Sequence, residues 1–480
     1  MAIRFGDRLL TYRELNRQAD GFAHLLAARG VKAGQRVAVM ASNRPEFFTA
    51  MFGILKLGGS AVMISPAWKQ AETAHATGLT EPVLTITDGD THRNRPDHSP
   101  NRVIHLDQDS AVATLAHHPC EPFQTHRDWD RSEAVLVFSS GTTGLPKAVR
   151  HTHASIGAAT VQWAATLGLT PDDRFQIATP PFHILGLLNM LASVGAGSSV
   201  RLHPRFDLDA VLAAIEADRV TLEMAVAPIA LALANHPRLE EYDLSSLRYI
   251  MWGATPVTES VAQRVSERTG VAFMPAYGAS EVPVITSNPV HHPDRWRLDS
   301  PGLPVPDVEI RITDPRTGTA LPPGETGEIQ VRSPATMAGY LPDEANAEAF
   351  SGGWYRTGDM GWMEPEGWLH ITDRLKEMIK VKGFQVAPAE VEAVLLTHSE
   401  VVDCAVFGVP DAESGEAVEA AVQLAGGSTA TSGDLKHLVA GTLASYKHLR
   451  AVHMVDSIPR LPSGKTLRRE LRHTLRPPTG

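Results

Sequence analysis

An α/β fold is predicted: a large N-terminal layered α/β domain over residues 1–374, and a small α+β C-terminal domain over residues 375–480. Three observations carry this. Helical and strand periods alternate over residues 11–70 and again up to about 290, the mark of layered α/β structure with a largely parallel sheet. Short strand patterns broken by turns mark a β-rich subdomain at about 305–372. Beyond Asp373 a further compact unit begins. In the first domain, Thr11 and Glu14 have capping-box spacing, and Leu15, Ala19, Phe22, Leu25 and Leu26 follow a helical period up to Gly30. Arg36 to Met40 reads as a buried strand, Pro45 to Leu57 as a helix, and Ala61 to Ile64 as the next strand. Residues 88–132, rich in His, Asp and Pro, read as an irregular surface connection. In the β-rich part, Val308 to Ile312, Gly327 to Val331 and Trp368 to Thr372 read as strands. The last unit has helices over Pro388 to His398 and near Gly433 to Leu443, a strand over Val401 to Val409, and a basic tail. The charged run Asp373-Arg374-Leu375-Lys376-Glu377 suits an exposed hinge.

The chain has 480 residues, 43% of them hydrophobic and 20% charged, enough for a sizeable core. A net charge of −10 argues against a nucleic-acid surface. Two cysteines far apart, Cys120 and Cys404, form neither a disulfide framework nor a thiolate zinc site and point to a reducing compartment. Cys404, in an apolar run, reads as a small core residue. The 21 histidines are scattered, and the pairs His117-His118 and His291-His292 read as loop decoration. No signal-peptide core, no uninterrupted apolar stretch of ~18 residues and no targeting or lipidation signal is present, so a cytoplasmic protein is expected, with no membrane partner.

The most informative segment is Phe138-Ser139-Ser140-Gly141-Thr142-Thr143-Gly144-Leu145-Pro146-Lys147, which follows the buried-strand pattern Ala134 to Phe138. Glycine turns backbone N–H groups inward, hydroxyls donate, and lysine adds a point charge, so the loop is suited to cradle phosphate oxygens. Taken alone, it reads equally well as surface punctuation. It lacks the Walker A spacing, and the one Gly-Lys-Thr, Gly464 to Thr466, has Pro459 where the leading glycine belongs.

Further clusters follow in order: Phe182-His183-Ile184 after Pro180-Pro181; Gly253-Ala254-Thr255-Pro256; Tyr277-Gly278-Ala279-Ser280-Glu281; and Tyr355-Arg356-Thr357-Gly358-Asp359. The run Asp373 to Glu377 continues through Lys380, Lys382-Gly383 and Gln385 to Pro388-Ala389-Glu390, and Pro462-Ser463-Gly464-Lys465 lies in the tail. Together with the serine/threonine loop they resemble the core motifs of the ANL adenylate-forming superfamily, over residues from about 5 to 472. The resemblance is greatest to coumarate–CoA ligases and related acyl-CoA synthetases. It implies an AMP-forming acid–thiol ligase with a mobile C-terminal domain, which joins a carboxylate to ATP and passes the acyl group to a thiol. ATP, Mg²⁺ and CoA are the implied cofactors and co-substrates.

The resemblance also implies roles. Ser139, Ser140, Gly141, Thr142, Thr143, Gly144 and Lys147 would hold the β- and γ-phosphates. Glu281, with Thr142 or Thr143, would bind Mg²⁺ through hard oxygens. Ser280 stands where threonine is common and keeps a hydroxyl for the α-phosphate. Ala254, Tyr277 and Gly278 would flank adenine, and Asp359 and Arg374 would meet the ribose. Lys465 would bridge the substrate carboxylate and the α-phosphate. Lys376 takes the hinge position, Lys382 and Gly383 the pantetheine tunnel, and Lys380 and Gln385 the nucleotide after rotation. Arg205 stands where some relatives bind a CoA phosphate. Arg468-Arg469 reads as surface charge.

His183, Ile184, Leu185, Gly253, Tyr277, Val282, Pro283 and Val284 would line the acyl pocket. Amino-acid-activating relatives place an aspartate beside the position of Phe182, where this chain has His183. The expected substrate is therefore a non-amino acid, aromatic or short-to-medium aliphatic. CoA is the expected acceptor; the alternatives are a carrier-protein phosphopantetheine and a non-catalytic acyl-nucleotide binder. Two departures stand out. Ala148 replaces a glycine and would be strained if its φ were positive. Pro275 replaces a polar residue and removes a donor.

Overall fold

The computed structural model describes residues 1–89, 102–115, 121–124, 131–139, 146–253, 259–382, 384–411, 413–461 and 464–475. Two largely parallel sheets, rather than one, form the large N-terminal domain. The seven-stranded sheet runs in the order Gly339–Leu341, Ala148–Thr152, Glu133–Phe138, Ser60–Met63, Arg36–Met40, Leu84–Thr87, Val103–His105. Its last five strands are parallel, and Ala148–Thr152 closes antiparallel onto Glu133–Phe138. The nine-stranded sheet has a parallel centre formed by Ser199–Leu202, Arg174–Ile177, Leu222–Ala225, Tyr249–Trp252 and Phe273–Tyr277. Thr286–Ser287 then pairs antiparallel to Phe273–Tyr277.

The first helix, Tyr12–Ala28, starts on the expected capping box of Thr11 and Glu14, and Gly30 follows its end with φ 83°. It packs on Pro45–Leu57 so closely that a Cβ on Gly53 would lie 2.7 Å from Phe22 Cβ. Among the described residues of 88–132 stand two regular elements that the composition does not imply: Val103–His105 extends the sheet and Ser110–Leu115 is a short helix. The β-rich subdomain is an antiparallel sheet of Glu309–Thr313, Gly327–Arg332, Trp354–Met363, Phe350–Ser351 and Leu369–Arg374. The smaller C-terminal domain has a sheet of Phe384–Val386, Ile379–Val381, Gly415–Leu424, Val401–Asp411 and Leu449–Met454. Helices Pro388–Leu395 and Ser432–Thr442 belong to the same unit, and Cys404 is buried in its core. Among the described residues no helix is long and apolar enough to cross a membrane.

Both departures fit their places. Ala148 is fully buried in a strand, opposite Phe138 and Leu341, and is absent from the residues with positive φ, so it carries no strain. Pro275 lies where the sheet changes from parallel to antiparallel pairing, and its carbonyl accepts from the backbone N and Nδ2 of Asn288.

The centre of the nine-stranded sheet buries a polar chain. Gln176 Nε2 donates to Glu223 Oε2 at 2.5 Å, and His203 Nε2 is 2.7 Å from Gln176 Oε1. Burial pushes the Glu223 carboxyl from 4.5 up to about 8 and the His203 imidazole down to about 4. An acid with a raised folded pKa stabilises the fold most when protonated, so its contribution is lost as pH rises toward 8. His203 is neutral in both states by pH 7 and adds nothing to this window. Glu223→Gln, uncharged at every pH, keeps the acceptor for Gln176. Urea unfolding should show the parent losing stability relative to the variant from pH 7 to pH 9, because every other titrating group, Lys465 included, is common to both. Parallel falls would contradict the assignment.

Candidate active site

The site starts from one cross-strand pair. Asp359, on Trp354–Met363, lies directly opposite Arg374, the last residue of Leu369–Arg374. Arg374 Nε sits 3.1 Å from Asp359 Oδ1, and the Tyr277 hydroxyl donates to Oδ2 at 2.5 Å. Asp359 is only 5% exposed, so its charge depends on these donors. Burial first, then Asp359, keeps the Tyr277 phenol well above its usual range, so it stays a donor.

Glu281 lies in the loop after Phe273–Tyr277. It is 9% exposed, and its Oε1 accepts from the Tyr340 hydroxyl at 2.6 Å; Tyr340 in turn lies 3.5 Å from the Tyr355 hydroxyl. The Ser280 carbonyl is held by His151 Nε2 at 2.8 Å. Burial drops the His151 imidazole to about 4, which leaves it neutral, with Nδ1 3.2 Å from Ser155 Oγ. The turn is tight. Ala279 N donates to the Val282 carbonyl, and a Cβ on Gly278 would fall 2.1 Å from the Pro283 carbonyl oxygen.

Of the serine/threonine loop, Ser140, Gly141, Thr142, Thr143 and Gly144 lie outside the described residues, as do Ala254 and Gly383. Its two ends are described. Ser139 N donates to the Lys147 carbonyl at 2.9 Å, and Lys147 Nζ stands 5.0 Å above the Tyr340 ring. Lys147 therefore stands beside the Glu281–Tyr340 pair.

His183 is the N-cap of helix Ile184–Ala196, with its ring 4.7 Å from that of Phe182. Its Nε2 is buried and makes no hydrogen bond among the described residues, and burial lowers its pKa to about 4. The backbone fixes its position: a Cβ on Gly186 would lie 2.2 Å from the Pro180 carbonyl oxygen. Leu185 and Ile184 pack beside it, while Val282 and Gly253 are buried.

The tail reaches this site. Lys465 Nζ is buried and makes no hydrogen bond among the described residues. Desolvation chiefly, then Arg374, brings its ammonium down to about 8, and Glu377 and Asp359 act in the opposite sense. The structure thus brings the Lys465 ammonium within electrostatic reach of Arg374 and Asp359, 91 and 106 residues back in the chain. It does not bring the expected thiol-step residues there. Lys376, Lys380, Lys382 and Gln385 are exposed, and the Ile379–Val386 hairpin bonds within its own domain, Lys382 N to Ser414 O and Lys380 N to Glu416 Oε2. Lys382 adopts φ 50°. Arg205 is exposed in the strand-to-helix connection after residue 202.

Three contributors escaped the sequence reading. Tyr340 and His151 stand in no quoted motif, and their partners lie 59 and 129 residues away. Arg468 is not surface charge: its side chain is 14% exposed and paired with Glu377 and Glu392.

Comparison with known proteins shows the family and fold of the chain. An AMP-binding enzyme model matches residues 1–341, and the AMP-binding enzyme C-terminal domain matches 390–465. A 4-coumarate–CoA ligase of Nicotiana tabacum is 33% identical, over 98% of this chain and 90% of the relative. A feruloyl-CoA synthase of Amycolatopsis is 34% identical, over 98% and 95%. The anthranilate CoA ligase AuaEII, solved with anthranoyl-AMP, superposes with a TM-score of 0.91 at 26% identity, covering 98% of this chain and 93% of that one. The chain belongs to the AMP-binding enzyme family, within the ANL adenylate-forming superfamily that its motifs resemble.

Proposed function

We propose that the chain is an ATP-dependent carboxylic acid–CoA ligase that works in two steps. In the first, a carboxylate oxygen attacks the α-phosphorus of ATP and expels pyrophosphate. In the second, the CoA thiol attacks the acyl carbon, AMP leaves, and the thiol proton passes to solvent. The observation that carries this reading is that the buried Nζ of the tail lysine Lys465 lies within electrostatic reach of the Asp359–Arg374 pair, which the Tyr277 hydroxyl completes. An anion attacking an anionic centre needs positive charge where negative charge develops. Lys465 supplies it, and its ammonium, which makes no hydrogen bond among the described residues, is free to bridge carboxylate and α-phosphate.

Asp359 and Arg374 take the ribose hydroxyls, Tyr277, Gly278 and Ala254 the adenine, and Ser280 the α-phosphate. The loop from Ser139 to Thr143, with Lys147, grips the β- and γ-phosphates. Among the described residues no group of three or more His, Cys, Asp or Glu could hold a metal. Glu281 therefore offers a single carboxylate, the donor set that suits a Mg²⁺ ion carried in on the nucleotide's phosphates, with Thr142 adding a hydroxyl. When bound, that ion neutralises phosphate charge.

The domain boundary falls at 374/375, with Lys376 as hinge. The position of Lys465 corresponds to the adenylating orientation. Rotation about the hinge then brings Lys382 and Gly383 to the thiol arm and Lys380 and Gln385 to the nucleotide, with Arg205 available to a CoA phosphate. His183, neutral and half-buried, shapes the acyl site and thiol access with Ile184, Leu185, Gly253, Val282 and Pro283. This apolar wall has no acid to receive an α-amine. The substrate is a non-amino acid, and the relatives that use coumarate, ferulate and anthranilate favour an aromatic one.

A panel of aromatic and aliphatic acids, assayed for pyrophosphate release with and without CoA, tests the reading. Aromatic acids should release pyrophosphate and form acyl-CoA. Transfer to holo carrier proteins but not to CoA would change the acceptor, and no turnover with any acid would sink the ligase reading.

A further inference from the structure

We infer that Arg468, together with Arg460, is a positioning residue that presents Lys465 for the adenylation step. The inference rests on the two-step reading above. Lys465 holds its ammonium in a place its charge does not favour, with Nζ buried and within electrostatic reach of the cationic Arg374. A flexible lysine stays in such a place only if its backbone is held there, because solvent and rotamer freedom both pull it away.

The hold is visible on both sides of the loop. Leu461 N donates to the Lys465 carbonyl at 2.8 Å, Gly464 N to the Leu461 carbonyl at 2.8 Å, and Leu467 N to the Pro459 carbonyl at 2.9 Å. Arg460 forks onto Asp403 with Nε at 3.0 Å and Nη2 at 2.7 Å. Its Nη1 reaches the Gly464 carbonyl and Thr466 Oγ1, each at 2.9 Å. On the other flank, Arg468 Nε donates to the Val406 carbonyl at 2.9 Å and Nη2 to Glu392 Oε1 at 2.7 Å, while Nη1 pairs with Glu377. Asp403 and Val406 belong to one strand, Val401–Asp411, so both arginines tie the loop to the same rigid element. Glu377 lies one residue past the hinge, and its backbone N donates to the Arg374 carbonyl at 2.9 Å. Arg468 is therefore the step that links the lysine loop to the turn behind the ribose arginine.

A mere staple of the C-terminal fold would serve both half-reactions equally, because the thiol step also uses that domain. A positioning residue serves only the step that uses Lys465. Arg468→Gln should lower acid-dependent ATP–pyrophosphate exchange by roughly 10–100-fold, with acyl transfer from supplied acyl-AMP to CoA unchanged. Arg468→Lys should recover part of the exchange. If Arg468→Gln folds poorly, Glu377→Gln serves instead, since it leaves Arg468 its bonds to Glu392 and Val406; it should lower exchange alone. Lys465→Ala runs alongside. Should Lys465→Ala separate the half-reactions while the Arg468 and Glu377 variants lower both alike or neither, positioning is overturned. Should Lys465→Ala itself fail to separate them, the two-step reading falls and this inference with it.

Discussion

Lys465→Ala should all but abolish acyl-adenylate formation, with a loss of ~10²–10³ in rate, on the scale of deleting one oxyanion donor. Thioester formation from supplied acyl-AMP should continue near the parent rate. The asymmetry follows from geometry: Lys465 meets the Asp359–Arg374 pair, whereas Lys376, Lys382 and Gln385 lie on the exposed side of the same domain. The parent enzyme carries a related signature in pH. Only the ammonium form stabilises developing negative charge, and in the free enzyme that form is lost as pH rises through about 8. The kcat/KM of pyrophosphate exchange, which reports the free enzyme, should therefore fall above pH 8. Acyl transfer from acyl-AMP should not share that limb. Equal loss of both half-reactions, or a common pH limb, would remove Lys465 from the first step.

Asp359→Asn should raise the KM for ATP by roughly 10–100-fold, the scale of losing a charge-assisted hydrogen bond. The carboxylate has two jobs in the structure, one oxygen beside Arg374 and the other taking the Tyr277 hydroxyl. An asparagine can accept on one side only, and its NH₂ then faces another donor. Arg374 is left without its counter-charge next to Lys465, so the cations repel. Acid KM should change far less, because none of the proposed acyl residues His183, Leu185 and Val282 bonds to Asp359. An unchanged KM for ATP would rule out the ribose role.

Local signals in the sequence read well where the chemistry is local. The Thr11–Glu14 capping box starts the first helix as expected, and the terminal domain's helices and long strand fall within a few residues of their expected spans. Short strands did not announce themselves: Val103–His105 has three residues, too few for any period. The division into two parallel sheets is also invisible locally, because it depends on which distant strands pair. The site divides the same way. Asp359, Arg374, Glu281 and Lys465 stand in recognisable runs, and the structure gathers Asp359, Arg374 and Lys465 in one place. Tyr340 and His151, which hold Glu281 and the Ser280 carbonyl, act through contacts that no spacing encodes. Arg468 looked like tail charge because its partners Glu377 and Glu392 lie 91 and 76 residues back.

Two turns next to the proposed acyl residues, one behind His183 and one before Val282, are shaped by main chain rather than side chain. At Gly186 the Pro180 carbonyl, and at Gly278 the Pro283 carbonyl, already fill the space a methyl group would need. For redirecting the enzyme to other acids, this divides the proposed acyl residues and the turns that carry them into adjustable and fixed positions. A library that randomises Gly186 or Gly278 wastes its diversity on misfolded loops, whereas His183, Leu185 and Val282 contribute removable side-chain volume. Changes in acid preference between relatives should therefore trace to those three positions, with the two glycines as the frame around which the range of acids evolves.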